Sequence, residues 1–304
     1  MLLHVLGSAA GGGFPQWNCN CRNCGGVRAG TLNARRRTQS SIAVSDDGKD
    51  WVLINASPDV LAQIQAFPAL QPGRSLRDTA IAGIVLMDAQ IDHTTGLFML
   101  REGRRLDVWC TEPVRRDLSG PNPILDVLAH YCGSTWHPVR LDDTEGFAVP
   151  ACEGLAFRAV PLDSNAPPFS PRRDAPIAGD NIGLAIVDRA SGKTVFYAPG
   201  LGAIEQHLEP LLAGADCILV DGTFWSDDEM IALGISNKRA RDLGHLPQSG
   251  PGGMLEQLAR WTKPRKVLIH INNTNPILDE DSSERAAVAR AGIEVAYDGM
   301  EIAL

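Results

Sequence analysis

No stretch of the 304-residue sequence approaches the run of about 18 apolar residues that a membrane-spanning helix needs. The opening residues, Met1-Leu2-Leu3-His4-Val5-Leu6-Gly7, lack the basic segment of a secretory signal and read as a first strand running into a glycine turn. A basic surplus is missing too. Lys and Arg total 28 against 36 Asp and Glu, a formal charge of -8. That balance argues against a nucleic-acid partner, whose affinity comes mainly from cations neutralising phosphates. The one dense basic run, Arg35-Arg36-Arg37, reads as a solvated loop. Seven cysteines, an odd number, make no disulfide framework, and the crowding of three of them between Cys19 and Cys24 suits a metal in a reducing compartment. There is no internal repeat and no low-complexity tail. The expectation is a cytoplasmic protein that meets neither membrane nor nucleic acid.

Short apolar or β-branched runs alternate with turn signals and amphipathic stretches. The pattern predicts strands at Ser41–Ser45, Trp51–Asn55, Gly83–Met87, Leu106–Cys110, Leu155–Val160, Gly183–Val187, Thr194–Ala198, Cys217–Val220, Lys266–Ile271 and Ile293–Ala296. Helices are predicted at Val60–Ala66, Gly96–Arg101, Ile204–Leu212, Gly253–Thr262 and Ser283–Ala291. Several strands are apolar throughout, as strands covered on both faces should be, which implies a layered α/β protein. The length suits one large domain or two small ones. The proline-rich segment 165–181 is the least structured part and reads as a lid.

Two clusters carry chemistry. Cys19, Cys21 and Cys24 have a C-x-C-x-x-C spacing that lets three thiolates converge on one tetrahedral ion, and soft sulfur donors favour zinc. No fourth ligand is evident locally. An iron–sulfur cluster is the weaker alternative, because the nearby fourth cysteine is absent. Cys110, Cys132, Cys152 and Cys217 sit among apolar neighbours and read as core residues. The second cluster is Asp92-His93, in a loop after the hydrophobic run Gly83–Met87. Adjacent residues of a strand face opposite ways, so the pair can share an ion only if the chain leaves the strand first. His270 ends another apolar run, and two such strand-end sites suggest convergence on one edge.

At these residues the sequence resembles the metallo-β-lactamase superfamily. Asp88 to His93 stands where that superfamily carries its H-x-H-x-D-H loop, and the glycine run Gly11-Gly12-Gly13, Asp221-Gly222-Thr223, His270 and Tyr297-Asp298-Gly299 match as well. The cysteine insertion resembles the branch containing the carbon–phosphorus lyase phosphodiesterase. Phe14-Pro15-Gln16-Trp17-Asn18-Cys19-Asn20-Cys21, Met87–His93 and His270–Pro276 together resemble the coenzyme PQQ synthesis protein B family over essentially the whole chain. The resemblance implies a four-layer αββα sandwich of α/β class, a single domain over 1–304 with a zinc insertion at about 14–30 and the lid at about 165–181.

The departures from the superfamily's pattern shape the expected chemistry. Of its usual two metal sites, the first would need side chains that here are Asp88, Gln90, Ser164 and Pro199. The second keeps Asp92, His93 and His270. Two histidines and a carboxylate with open positions suit non-haem Fe(II) and O2, although zinc also fits and the affinity order favours it in purified protein. The resemblance implies oxygen-dependent hydroxylation of the tyrosine of a Glu–Tyr precursor peptide during PQQ synthesis. His245 would then move protons, and Asp88, Gln90, Asp163 and Ser164 would line the pocket, with Asp88 as a weak extra ligand in the alternative. Arg172 and Arg173 of the lid would pair with substrate carboxylates. In the phosphodiesterase branch a histidine completes the structural zinc site, and its place here is Asn273. Expected partners are the peptide or a PQQ intermediate and O2, with room for a homodimer. A carrier of PQQ or an intermediate, and a mononuclear zinc hydrolase, are the competing readings.

Overall fold

Two seven-stranded sheets lie face to face in the computed structural model, which describes residues 1–304. The first runs in the order Glu301–Ala303, Leu2–Gly7, Ser41–Ser45, Trp51–Ile54, Ile81–Val85, Leu106–Cys110, Ser134–Pro138. The second runs Ile293–Val295, Arg265–Ile269, Cys217–Asp221, Thr194–Ala198, Ile182–Asp188, Cys152–Pro161, Phe147–Val149. From Trp51–Ile54 outward the first sheet is parallel, and so is the second from Thr194–Ala198 to Ile293–Val295. Parallel neighbours need crossovers, and the crossovers carry the helices that cover each outer face.

Three apolar interfaces separate four layers. Between the sheets, Val5, Ile54 and Val85 belong to one cluster with Phe157, Leu184 and Tyr197. Outside the first sheet, Leu53 and Ile84 join Val60, Leu97 and Leu118. Outside the second, Val220 and Leu268 join Leu212, Met254 and Val288. Consecutive residues such as Ile84 and Val85 thus serve opposite faces, both of them buried, which is why the strands do not alternate with polar residues. The arrangement is the αββα sandwich. No helix is long and apolar enough to cross a membrane.

Every predicted strand has a counterpart; Ser41–Ser45, Leu106–Cys110 and Thr194–Ala198 have the predicted bounds, and the others differ by one to three residues at an end. Ser134–Pro138, Phe147–Val149 and Glu301–Ala303 were not anticipated, and all three are sheet-edge strands of three to five residues. An edge strand is half-solvated, so its sequence carries a weaker apolar signal. Val60–Ala66 forms with the predicted bounds and Ser283–Ala291 ends one residue early, whereas the other three helices are shorter than their patterns suggest. Gly96–Arg101 stops at Met99, Gly253–Thr262 reduces to Met254–Leu258, and Ile204–Leu212 becomes a 3-10 turn at Gln206–Leu208 followed by Glu209–Gly214. Helices at Arg22–Ala29, Ile91–Thr94, Glu112–Leu118, Ile124–Leu128 and Glu229–Ala232 are additional. Most have fewer than two turns, too little for a 3.6-residue period to show.

At one edge the two sheets are stitched together. Beyond strand Leu2–Gly7, the amide of Ala10 donates to the carbonyl of Ile271 at 2.9 Å, and the amide of Ile271 donates to Ser8 at 2.9 Å. The glycine loop after the first strand thereby lies against the residues that follow Arg265–Ile269. Nearby, the turn holding Asp92 and His93 is pressed on the chain after Trp51–Ile54. Ala56 donates its amide to the His93 carbonyl (2.7 Å) and accepts from the Gly96 amide (2.9 Å). A Cβ at Gly96 would stand 2.2 Å from the Ser57 carbonyl oxygen and 2.7 Å from that of Ala56. Those are backbone atoms that cannot swing aside. Gly96→Ala is therefore expected to cost about 1–3 kcal/mol, read as a lowered urea midpoint with unchanged slope.

Candidate metal centre

Strand Ile81–Val85 delivers the chain to Asp88, and the one-turn helix Ile91–Thr94 follows. On a helical turn successive side chains diverge by only about 100°, so Asp92 and His93 can approach a common point. His270 arrives from the other sheet, directly after Arg265–Ile269. Its φ of 61° is in the left-handed region that a side chain with a Cβ seldom adopts, a cost that the surrounding contacts must hold in place. The donor atoms of Asp92, His93 and His270 all lie within 4.8 Å of one another. His270 Nε2 stands 3.3 Å and His93 Nε2 3.9 Å from Asp92 Oδ2. Gly11 comes so close that a Cβ there would stand 3.3 Å from Asp92 Oδ2, so the glycine loop leaves room for the carboxylate.

Each histidine is oriented from behind. His93 Nδ1 lies 2.9 Å from both oxygens of Asp88. A carboxylate only accepts, so Nδ1 carries the proton and Nε2 presents its lone pair towards Asp92. That Nε2 is buried and has no hydrogen-bond partner. Buried polar atoms are rarely left alone, and a cation between this nitrogen, Asp92 and His270 would satisfy it. The Thr223 hydroxyl donates to the carbonyl of His270 (2.9 Å), and its oxygen accepts from His270 Nδ1 (2.9 Å). The same oxygen is 3.1 Å from His245 Nδ1, which is also 2.6 Å from Asp221 Oδ2. His245 Nε2 is thereby left free, and His245 lines the cavity. Asp221, His245 and His270 also form a close group, but Asp221 is already saturated by His245, the Leu201 amide and the Thr223 amide. They are a hydrogen-bonded brace, not a second metal site.

The charges agree with this reading. Burial opposes ionisation of Asp92, yet His93 and His270 beside it hold its carboxyl well below the usual carboxylate range. Burial would also depress His93, but Asp88 and Asp92 overcome it and push the imidazole up to about 9. Two carboxylates around one buried ring favour a positive charge, which a proton or a metal ion can supply.

The site opens into a cavity of about 240 Å³ lined by Gln90, Ser164, Arg173, Asn181 and Phe224 among others. Four expectations need correcting. Asp88 is in the cavity wall as expected, but its oxygens are committed to His93 and the Gln90 amide and not to substrate or an ion. Asp163 is exposed and outside the cavity wall, with its amide donating to Glu205. Ser164 is in the wall, but its hydroxyl is spent on the Gly244 carbonyl beside His245. Arg172 is also outside the wall: its guanidinium is held between Asp117 (2.9 Å) and Asp180 (2.7 Å) and donates to the Pro113 carbonyl. The proline-rich segment is thus fastened to helix Glu112–Leu118 as a wall instead of hanging free as a lid, and Thr111 adds a hydrogen bond to Gly179. The roles of Thr223 and Asp221 were missed. The signal available for Asp221 was an acid directly after the apolar run Cys217–Val220.

Cys19, Cys21 and Cys24 gather with their sulfurs within 4.8 Å of one another. The Asn273 amide faces all three, 3.1 Å from Cys19 Sγ and 3.4 Å from Cys24 Sγ. A half-turn exchanges the two ends of a carboxamide, so Asn273 Oδ1 can complete a tetrahedral set of three sulfurs and one oxygen. Asn23 reinforces the join by donating to the carbonyls of Asn273 and Asn275. The cysteine clip therefore grips the loop that begins at His270.

Comparison with known proteins gives concordant results. Residues 50–271 match the model of the beta-lactamase superfamily domain. The coenzyme PQQ synthesis protein B of Methylobacillus flagellatus is 61% identical over 305 residues, covering 100% of both chains. That of Nitrosococcus oceani is 62% identical over 309 residues with the same coverage. Among solved structures, the zinc-bound PqqB of Methylobacterium extorquens superposes with a TM-score of 0.90 at 38% identity, covering 100% of each chain. A diphosphatase of the PhnP family, at 20% identity, TM-score 0.67 and coverage of 99% and 96%, shares the fold.

Two outcomes follow from the geometry. Asp88→Asn removes the charge that fixes the His93 tautomer and is expected to weaken metal binding at Asp92 roughly 10- to 100-fold, measured by competition with a chromophoric chelator, while the ion among the cysteines is retained. Because the His93 pKa is raised, the ring is protonated below about 9 and a metal must displace that proton. Affinity should therefore rise with pH up to about 9, with proton release visible by calorimetry in buffers of different ionisation enthalpy.

Proposed function

The chain belongs to the coenzyme PQQ synthesis protein B family of the metallo-β-lactamase superfamily, and we propose that it serves PQQ biosynthesis as a metalloenzyme with one reactive ion, hydroxylating the tyrosine ring of a Glu–Tyr precursor peptide. The observation that carries this reading is the donor set itself: two histidines and one carboxylate around a buried, unpartnered His93 Nε2, on one face of a cavity. Fe(II) held by Asp92, His93 and His270 would supply O2 activation, since the remaining coordination positions are open to small ligands. A hydrolase with two metals would need further donors where this chain has Gln90, Ser164 and Pro199. The zinc of the Methylobacterium extorquens relative accords with the affinity order, which favours zinc over iron whatever the working metal.

In balance, one oxygen atom of O2 replaces a hydrogen on the ring carbon. The other leaves as water, with two protons and two electrons from an external reductant such as a thiol or ascorbate. The protein's residues supply position and proton handling. At about 240 Å³ the cavity is smaller than the roughly 300–1,000 Å³ of drug-sized sites, which suits one aromatic side chain entering from a peptide. His245, with Nδ1 held by Asp221, offers Nε2 to accept or return a proton at the phenol oxygen. Burial opposes its protonation, but Asp221 outweighs burial and raises its pKa, so it stays cationic to higher pH than a free imidazole.

The test is anaerobic loading with Fe(II), then addition of O2, reductant and a Glu–Tyr peptide, with mass spectrometry of the product. A gain of one oxygen atom is expected, absent in zinc-loaded protein and in Asp92→Ala/His93→Ala. Product formed equally by that double variant, or no product from fully loaded protein, would sink the proposal.

A further inference from the structure

Two adjacent arginines of the 165–181 wall have opposite fates. Arg172 is shared by two buried acids, Asp117 and Asp180, and is largely covered. Arg173 has no carboxylate within ion-pair distance. Its one side-chain hydrogen bond goes from a guanidinium nitrogen to the Ala166 carbonyl, and it lines the same cavity as Asp92, His93 and His270. It is the one Lys or Arg in that wall. The acids there are already engaged, Asp88 by His93 and Asp92 by the two histidines. A half-buried guanidinium with one protein hydrogen bond has donors to spare for an anion, and its planar fork matches a carboxylate bidentately.

We propose that Arg173 is the specificity-determining residue of this cavity, receiving a carboxylate of the substrate while the reacting group points at Asp92, His93 and His270. The inference rests on the reading of the cavity as the substrate site, and it names the chemical class the site accepts: a carboxylated ligand, held by one fixed cation. Arg172 is the positioning residue behind it. Its bonds to Asp180, Asp117 and the Pro113 carbonyl pin the wall to helix Glu112–Leu118, so the neighbouring guanidinium does not have to be ordered on binding. A preorganised donor loses less entropy than one on a free loop.

The test needs no turnover. Zinc-loaded full-length protein is titrated calorimetrically with the Glu–Tyr dipeptide, with its Gln–Tyr amide counterpart, and with PQQ, which carries carboxylates. The native chain is expected to hold the carboxylated probes at least roughly 10-fold tighter than the amide. Arg173→Gln should remove that preference by weakening the charged probes alone, and Arg173→Lys should keep part of it as a point charge. Arg172→Gln should lower the preference with Arg173 still present, by loosening the wall. The proposal is overturned if the native chain shows no preference, if Arg173→Gln weakens all probes alike, or if it changes none. A preserved preference without hydroxylation by the Fe(II) form would count against the oxygenase reading alone.

Discussion

Everything chemical in this molecule depends on a pair of backbone hydrogen bonds at one edge of the sandwich. Ala10 to Ile271 and Ile271 to Ser8 join the first sheet to the second where each has just delivered its last strand residue. Without that join, Asp92 and His93 on one sheet and His270 on the other would belong to separate layers. With it, Gly11 can lie against Asp92 and the His270 backbone is held at a positive φ. Ligand groups at the C-terminal ends of strands are a general outcome of α/β architecture, and here two sheets contribute such ends to one point.

Around that point the polar groups are arranged in ranks. Asp88 and Thr223 fix ring orientation and Asp221 fixes His245, while His93 Nε2 and the Asp92 carboxylate are left for an ion at the cavity wall. The contrast with a two-metal hydrolase lies in what the neighbouring positions contain. Gln90 and Ser164 reach the cavity but bring no imidazole, and Pro199 has no donor at all. One ion among three ligands would keep coordination positions open, which a bridged pair of ions would fill from within.

Much of this was legible in the sequence. Buried strands announced themselves through apolar runs such as Gly83–Met87 and Lys266–Ile271, and Asp92, His93 and His270 could be named because the first two follow one such run and the third stands at the end of the other. The cysteine spacing marked a clip before any fold was known. What stayed hidden depends on direction and distance. Arg172 and Arg173 are indistinguishable as letters, and only the placement of Asp117 and Asp180, far apart in the chain, separates a strut from a free cation. Asp88 read as a substrate-orienting group because its partner His93 sits five residues on, beyond a turn whose geometry a pattern does not reveal. The role of Thr223 went unread because a hydroxyl that braces two histidines looks like any other threonine.

The clip of Cys19, Cys21, Cys24 and Asn273 has one more consequence. Asn273 is three residues beyond His270, so one short loop is moored at its start by the stitch at Ile271 and further along by sulfur. Emptying the clip would slacken the loop that carries a ligand of the other centre. Order at the sulfur pocket and order at the histidine pocket are thereby tied through a few residues of one backbone segment.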